Sequence, residues 1–169
     1  MASITIDNTA KDVPIDDYQE QKVVDYNSIF AAIQAAWTAW TPTWTNLSVG
    51  NGTVTAKYRQ IGKLVFCRIT IVFGSTTSIS GGVSFSLPVT RAANAGTAGG
   101  TPQGQATLVD ASPAGTYTGV ITNVTTTTAA VGALDASGTY LKIAALSSTV
   151  PITWTTSDEI NAQFSYEAV

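Results

Sequence analysis

From Leu64 to Phe73 the chain alternates with a period of two. Val65, Cys67, Ile69, Ile71 and Phe73 fall on one side, and Leu64, Phe66, Arg68, Thr70 and Val72 on the other. That period belongs to a β-strand, in which successive side chains point to opposite faces. Both sets are largely apolar, which describes a strand inside a sheet with cover on both faces. A domain core supplies one cover. The second must come from the N-terminal helix or from a neighbouring subunit.

Everything after Pro42 reads as strands separated by turns. Asn51-Gly52 is a strong hairpin dipeptide and predicts a hairpin between strands at 43–49 and 53–58. In the second of these, Val54, Ala56 and Tyr58 alternate with Thr53, Thr55, Lys57 and Arg59. Gly62-Lys63 turns into the apolar strand, and further strands are expected at 82–87, 104–109, 117–124, 129–134, 140–146, 152–155 and 160–166. The Gly- and Ala-rich stretch 91–104 reads as a long loop. Short strands at this spacing predict a mainly β domain over residues 41–169, an antiparallel β-sandwich of jelly-roll-like form.

The region before Pro42 is different in kind. Residues 1–25 hold Asp7, Asp12, Asp16, Asp17, Glu20 and Asp25 against Lys11 and Lys22, so the acidity of a chain of net charge −3 is concentrated there. Residues 1–24 read as a polar extended arm, either frayed or docked on a partner. From Asp25, a good N-cap, Tyr26, Phe30, Ile33, Trp37 and Trp40 follow a 4-3-4-3 spacing that predicts a short helix over 25–40, ended by Pro42. So short a helix is marginal alone in water. Its apolar stripe must pack either on the β-domain or on copies of itself.

The sequence offers little catalytic chemistry. There is no histidine, and the one cysteine, Cys67, falls on the strand face expected to be buried. The common nucleophile–base pairs are therefore missing, as is any disulfide or cysteine-built metal site. Asp110, Asp135, Asp158, Glu159 and Glu167 show no spacing that proposes a carboxylate pair. No cofactor is expected, and a net negative charge argues against a nucleic-acid partner. No apolar run is long enough for membrane insertion as a helix. The Asn46, Asn51 and Asn123 sequons read as incidental in so Thr-rich a chain.

Two features point to binding rather than chemistry. Arg68, in the middle of the most apolar strand, reads either as a side chain snorkelling at the sheet rim or as an ion-pair partner across a subunit interface, with Asp158, Glu159 or Glu167 as candidates. Trp37, Trp40, Trp44 and Trp154 form either a junction between helix and sheet or a saccharide-stacking platform. The helical stripe favours the junction for Trp37 and Trp40, and leaves Trp44 and Trp154 as candidate glycan contacts.

The order of these pieces resembles a module of tailed-bacteriophage structural proteins, found in minor tail proteins and in tail or head fibres. The likeness rests on Trp40-Thr41-Pro42-Thr43-Trp44, Val49-Gly50-Asn51-Gly52-Thr53, Tyr58-Arg59-Gln60-Ile61-Gly62-Lys63, the strand 65–72, and Phe85-Ser86-Leu87-Pro88. Trp154, Asp158 and Tyr166-Glu167-Ala168 extend it to the C-terminus, and Asp25-Tyr26-Asn27 resembles the attachment segments before such knobs. The resemblance implies a non-enzymatic virion component, a homotrimer displayed on the particle exterior, held to other virion proteins by the N-terminal arm and facing host-surface glycans. On that expectation the subunit interface comprises Tyr26, Phe30, Ile33, Trp37, Trp40, Phe66 and Arg68.

Overall fold

The structure is a computed structural model and describes residues 26–31, 33–93 and 100–169. The expected arm at 1–24, the Asp25 cap and the middle of the 91–104 loop lie outside the described residues. The chain divides into two compact units, Met1–Ala35 and Ala36–Val169.

In the first unit residues 26–31 and 33–34 are helical. The helix is shorter than the apolar spacing predicts. The chain has left it before Trp37, and Thr38–Ala39 already form a strand, paired with Tyr58 and Lys57. A 4-3-4-3 spacing continued into a strand by coincidence, and backbone pairing with an available sheet edge prevailed over the helical pattern.

The second unit is mainly β, a curled half-barrel sheet of antiparallel strands. Its strands are β1 (Thr38–Ala39), β2 (Trp44–Ser48), β3 (Thr53–Ile61), β4 (Leu64–Val72), β5 (Ser78–Ser86), β6 (Pro102–Ala111), β7 (Ala114–Asn123), β8 (Thr128–Asp135), β9 (Lys142–Ala145) and β10 (Glu159–Glu167). They run β1-β3-β4-β10-β6-β7-β8-β5-β2 across the sheet, with β9 on β8. The C-terminal strand β10 thus lies between β4 and β6, closing the chain into the middle of the sheet.

The Asn51-Gly52 turn forms, but not as a hairpin. β3 pairs with β4 in a nine-residue register around Gly62-Lys63, while β2 pairs with β5. The turn therefore joins strands near opposite ends of the sheet path, and it can do so only because the sheet curls. Asn51 serves this corner with its side chain. Its Oδ1 accepts from the Thr76 N–H (2.9 Å) and its Nδ2 donates to Ser75 Oγ (3.0 Å), tying the corner to the β4–β5 turn.

Curling is also read from ring contacts between strands that are not neighbours. Phe85 of β5 meets Phe164 of β10 at 5.6 Å, and Trp40, which lies between β1 and β2, packs on the same Phe85 at 6.4 Å. Trp44 reaches it at 5.5 Å from the paired strand β2. The inner face holds Val65, Cys67, Ile69, Ile71, Leu108, Ile121, Ile160 and Phe164, all buried. Through its centre, Ala56, Ile69, Ala162, Ala106, Gly119 and Ala133 stand in one register row across six strands. Apart from Ile69, the side chains in this row are small and leave room for the larger residues on either side to meet over the curve. At Gly119 a Cβ would stand 2.8 Å from the Gly132 carbonyl oxygen, so only glycine fits without a shift.

Candidate functional site

The residues that alternate with this core form the outer face of β3, β4, β10 and β6. Register places Lys57, Arg68, Gln163 and Gln105 side by side in one row, and Thr55, Thr70, Asn161 and Thr107 in the next. Most of these side chains are exposed. Together they make a flat array of hydroxyls, amides and two cations.

A groove of about 620 Å³ runs along this array, lined by Trp37, Phe66, Arg68, Gln105, Asn161 and Gln163 among others. A second, of about 440 Å³, adjoins it and is lined by Thr55, Lys57, Arg68, Thr70, Asn161 and Gln163. The Arg68 guanidinium lies over the Trp37 ring, 5.8 Å from its centroid, within cation–π range. Asn161 is committed within the array: its Oδ1 accepts from Thr70 Oγ1 (2.9 Å) and its Nδ2 donates to Glu159 Oε2 (2.8 Å).

The expected subunit and glycan residues are distributed unevenly. Tyr26, Phe30 and Ile33 in the helical turns are each about half exposed, as is Ile29 beside them. Phe66, with Leu64, gives the outer face of β4 its apolar end, exposed by 38% and 44%. Among the described residues, the strand that reads as apolar on both sides is buried on its inner side, while its outer side is partly open, with Trp37 against Arg68 and polar neighbours on β3 and β10. Arg68 faces a tryptophan. Of the carboxylates considered for it, Asp158 is fully buried, accepting from the Ala111 and Thr155 backbone N–H groups at 2.9 and 2.6 Å.

Trp154 is built into the domain. Its ring stacks on Phe73 at 4.8 Å, and its Nε1–H donates to the Ser147 and Val150 carbonyls. That geometry engages a ring face and the polar edge that a saccharide would use, and makes Trp154 part of the β-unit's own packing. Trp44 packs partly on Phe85 and lines a small cleft with Trp40, Thr41, Pro42, Val49 and Val54. In that region the buried Trp40 Nε1–H has no hydrogen-bond acceptor among the described residues.

Cys67 is buried, as its strand face requires. Burial pushes its thiol up to about 12, offset in part by the Tyr166 hydroxyl beside it. Tyr166 is itself raised, chiefly by burial, and its hydroxyl donates to the Val89 carbonyl at 2.9 Å. A thiol so held is protonated and inert at neutral pH. Among the described residues no three His, Cys, Asp or Glu side chains gather into a metal-binding group. No helix among them is long and apolar enough to cross a membrane.

Sequence reasoning singled out Arg68 and the tryptophans but missed the partners that make a surface of them. Gln105, Asn161 and Gln163 look ordinary in their own strands. Only the Lys57 side of β3 carried a signal, in the alternation of Thr53, Thr55, Lys57 and Arg59. Compared with known protein families, curated proteins and solved structures, the chain matches none.

Proposed function

We propose that this chain is a non-enzymatic structural protein of a tailed-bacteriophage particle, a minor tail, fibre or tip component. In this reading the helical segment assembles three subunits, the N-terminal arm attaches them to other virion proteins, and the β-unit is displayed outward. The curled sheet then serves as a two-layer, jelly-roll-like knob. The observation that carries the reading is the exposed stripe Tyr26, Phe30 and Ile33, ahead of a β-unit that already has its own core. A helix this short gains stability from a packed apolar face, not from its backbone alone, and copies of the same stripe around an axis provide one.

The test is the solution mass of the full chain by light scattering. A trimer that persists at high salt, and is reduced to monomer by Phe30→Asp with Ile33→Asp, is the expected result. A wild-type monomer at micromolar concentration overturns the assembly. Immunolabelling of purified particles then separates a tail position from a head fibre or decoration protein.

A second reading, a carbohydrate-binding β-module, is favoured by the cleft at Trp44, where an aromatic face adjoins the unpartnered Trp40 N–H. Glycan-array binding lost in Trp44→Ala supports it, and binding unchanged in that variant removes the cleft.

A further inference from the structure

The outer face contains one arrangement that folding alone does not favour. Lys57 and Arg68 are direct cross-strand partners on the same face, in the β3–β4 register. Like charges so placed, with Cβ atoms about 5 Å apart, destabilise a sheet. Among the lining residues of the two adjoining grooves, Lys57 and Arg68 are the charged ones, and no carboxylate is present. The acid two positions before Asn161 on β10, Glu159, is engaged by the Asn161 amide. Outside the acidic first 25 residues the chain is close to neutral, and here two cations stand side by side with no carboxylate among the residues that line the grooves.

The rest of the grooves has a consistent chemistry. Gln105 and Gln163 continue the Lys57–Arg68 row with exposed amides, each able to donate and accept. Thr55, Thr70 and Thr107 add hydroxyls in the next row. Trp37 closes one groove with an aromatic ring already placed against the guanidinium. An aromatic ring and rows of amides and hydroxyls suit a polyhydroxylated ring or chain. The paired cations add a requirement for negative charge.

The geometry points to an anionic polysaccharide as the ligand of this face, lying along the Lys57–Arg68–Gln163–Gln105 row, with its acidic group between the two cations. Its acid is a carboxylate or a phosphodiester, which share this recognition chemistry. The inference rests on the displayed-particle reading only for where such a polymer would be met, namely a cell surface. The site itself is complete within one chain.

The experiment uses the full chain with three polysaccharides: polygalacturonate as the carboxylated probe, a phosphodiester-bearing phosphomannan as the phosphorylated one, and dextran as the neutral control. Calorimetric binding to one or both anionic polymers, weakening as salt rises, with none to dextran, is expected. Lys57→Gln with Arg68→Gln should reduce that binding at least about tenfold, as loss of charge-assisted hydrogen bonds implies. Lys57→Gln alone should keep or raise the melting temperature of the free protein, because it removes the like-charge pair. Which polymer binds assigns the acid. Failure of both anionic polymers to bind, equal binding of dextran, or full binding by the double variant overturns the inference. Light scattering on the same samples keeps the two proposals apart: a trimer that binds neither polymer rejects this site alone, and a monomer that binds rejects the assembly alone.

Discussion

The two faces of β10 differ more than their shared backbone suggests. Inward, Ile160, Ala162, Phe164 and Tyr166 are buried, and outward, Glu159, Asn161, Gln163 and Ser165 are polar and partly or fully open. Both faces obey the same register against β4 and β6. The inner row is selected by volume, since Ala162 lies between Ile69 and Ala106 where the sheet curves. The outer residues are held less by apolar packing, with Gln163 exposed and Asn161 fixed by hydrogen bonds to Thr70 and Glu159, so the volume of the core does not choose their types. A neutral, soluble face needs no particular row of amides, and it gains nothing from two cations side by side.

The sharpest way to break this contrast is to truncate neighbours that point in opposite directions. Phe164→Ala removes a ring packed on Phe85 and stacked near Tyr166 (6.2 Å), and should cost about 3–5 kcal/mol in chemical denaturation. A loss below about 1 kcal/mol would mean that the curl is not closed over this ring.

Alkaline titration probes the inner face more gently. The Cys67 thiol has an ordinary value near 9 in the unfolded chain and is raised to about 12 in the folded one. The unfolded chain therefore releases this proton first. The stabilisation is fully present below about pH 9 and is lost progressively as pH rises towards 12. Cys67→Ala should lose less stability than wild type over that window, and parallel curves for the two would place the thiol in contact with water.

The smallest effect is expected outward. Gln163→Ala, one residue before Phe164, should change stability by less than about 0.5 kcal/mol, as exposed substitutions generally do. A large loss there would show that the outer array is structural after all.

Much of the fold is legible residue by residue. The 64–73 alternation marks a strand because side chains on a pleated backbone must alternate, and of the two halves that the pattern reads as covered, the Val65–Ile71 half is buried among the described residues. Cys67 follows from the same pattern. The helix end at residue 34 is not legible, because helix and strand both accept Trp37 and Trp40 at their spacing. Only pairing of Thr38–Ala39 with β3 decides between them. Asn51-Gly52 shows how far local chemistry reaches: it specifies a turn, but whether the flanking strands pair depends on which other strands compete for them.

The sequence by itself determined that this is a β-protein with an apolar helical stripe at its front, no histidine and one inert thiol. Those properties are local, set by side-chain period and composition. The tertiary structure alone decided that β10 inserts between β4 and β6, and that β2 and β3 part company at their shared turn. It also decided that, among the described residues, the outer side of β4 is largely open and flanked by polar positions of β3 and β10. In the sequence Arg68 reads either as a snorkelling side chain at the sheet rim or as an ion-pair partner across a subunit interface. Its setting beside Lys57, over Trp37 and in line with Gln163 and Gln105 comes from strands distant in sequence, whose order is chosen by the buried inner face. Inner packing fixes the register, and register carries the outer residues into place.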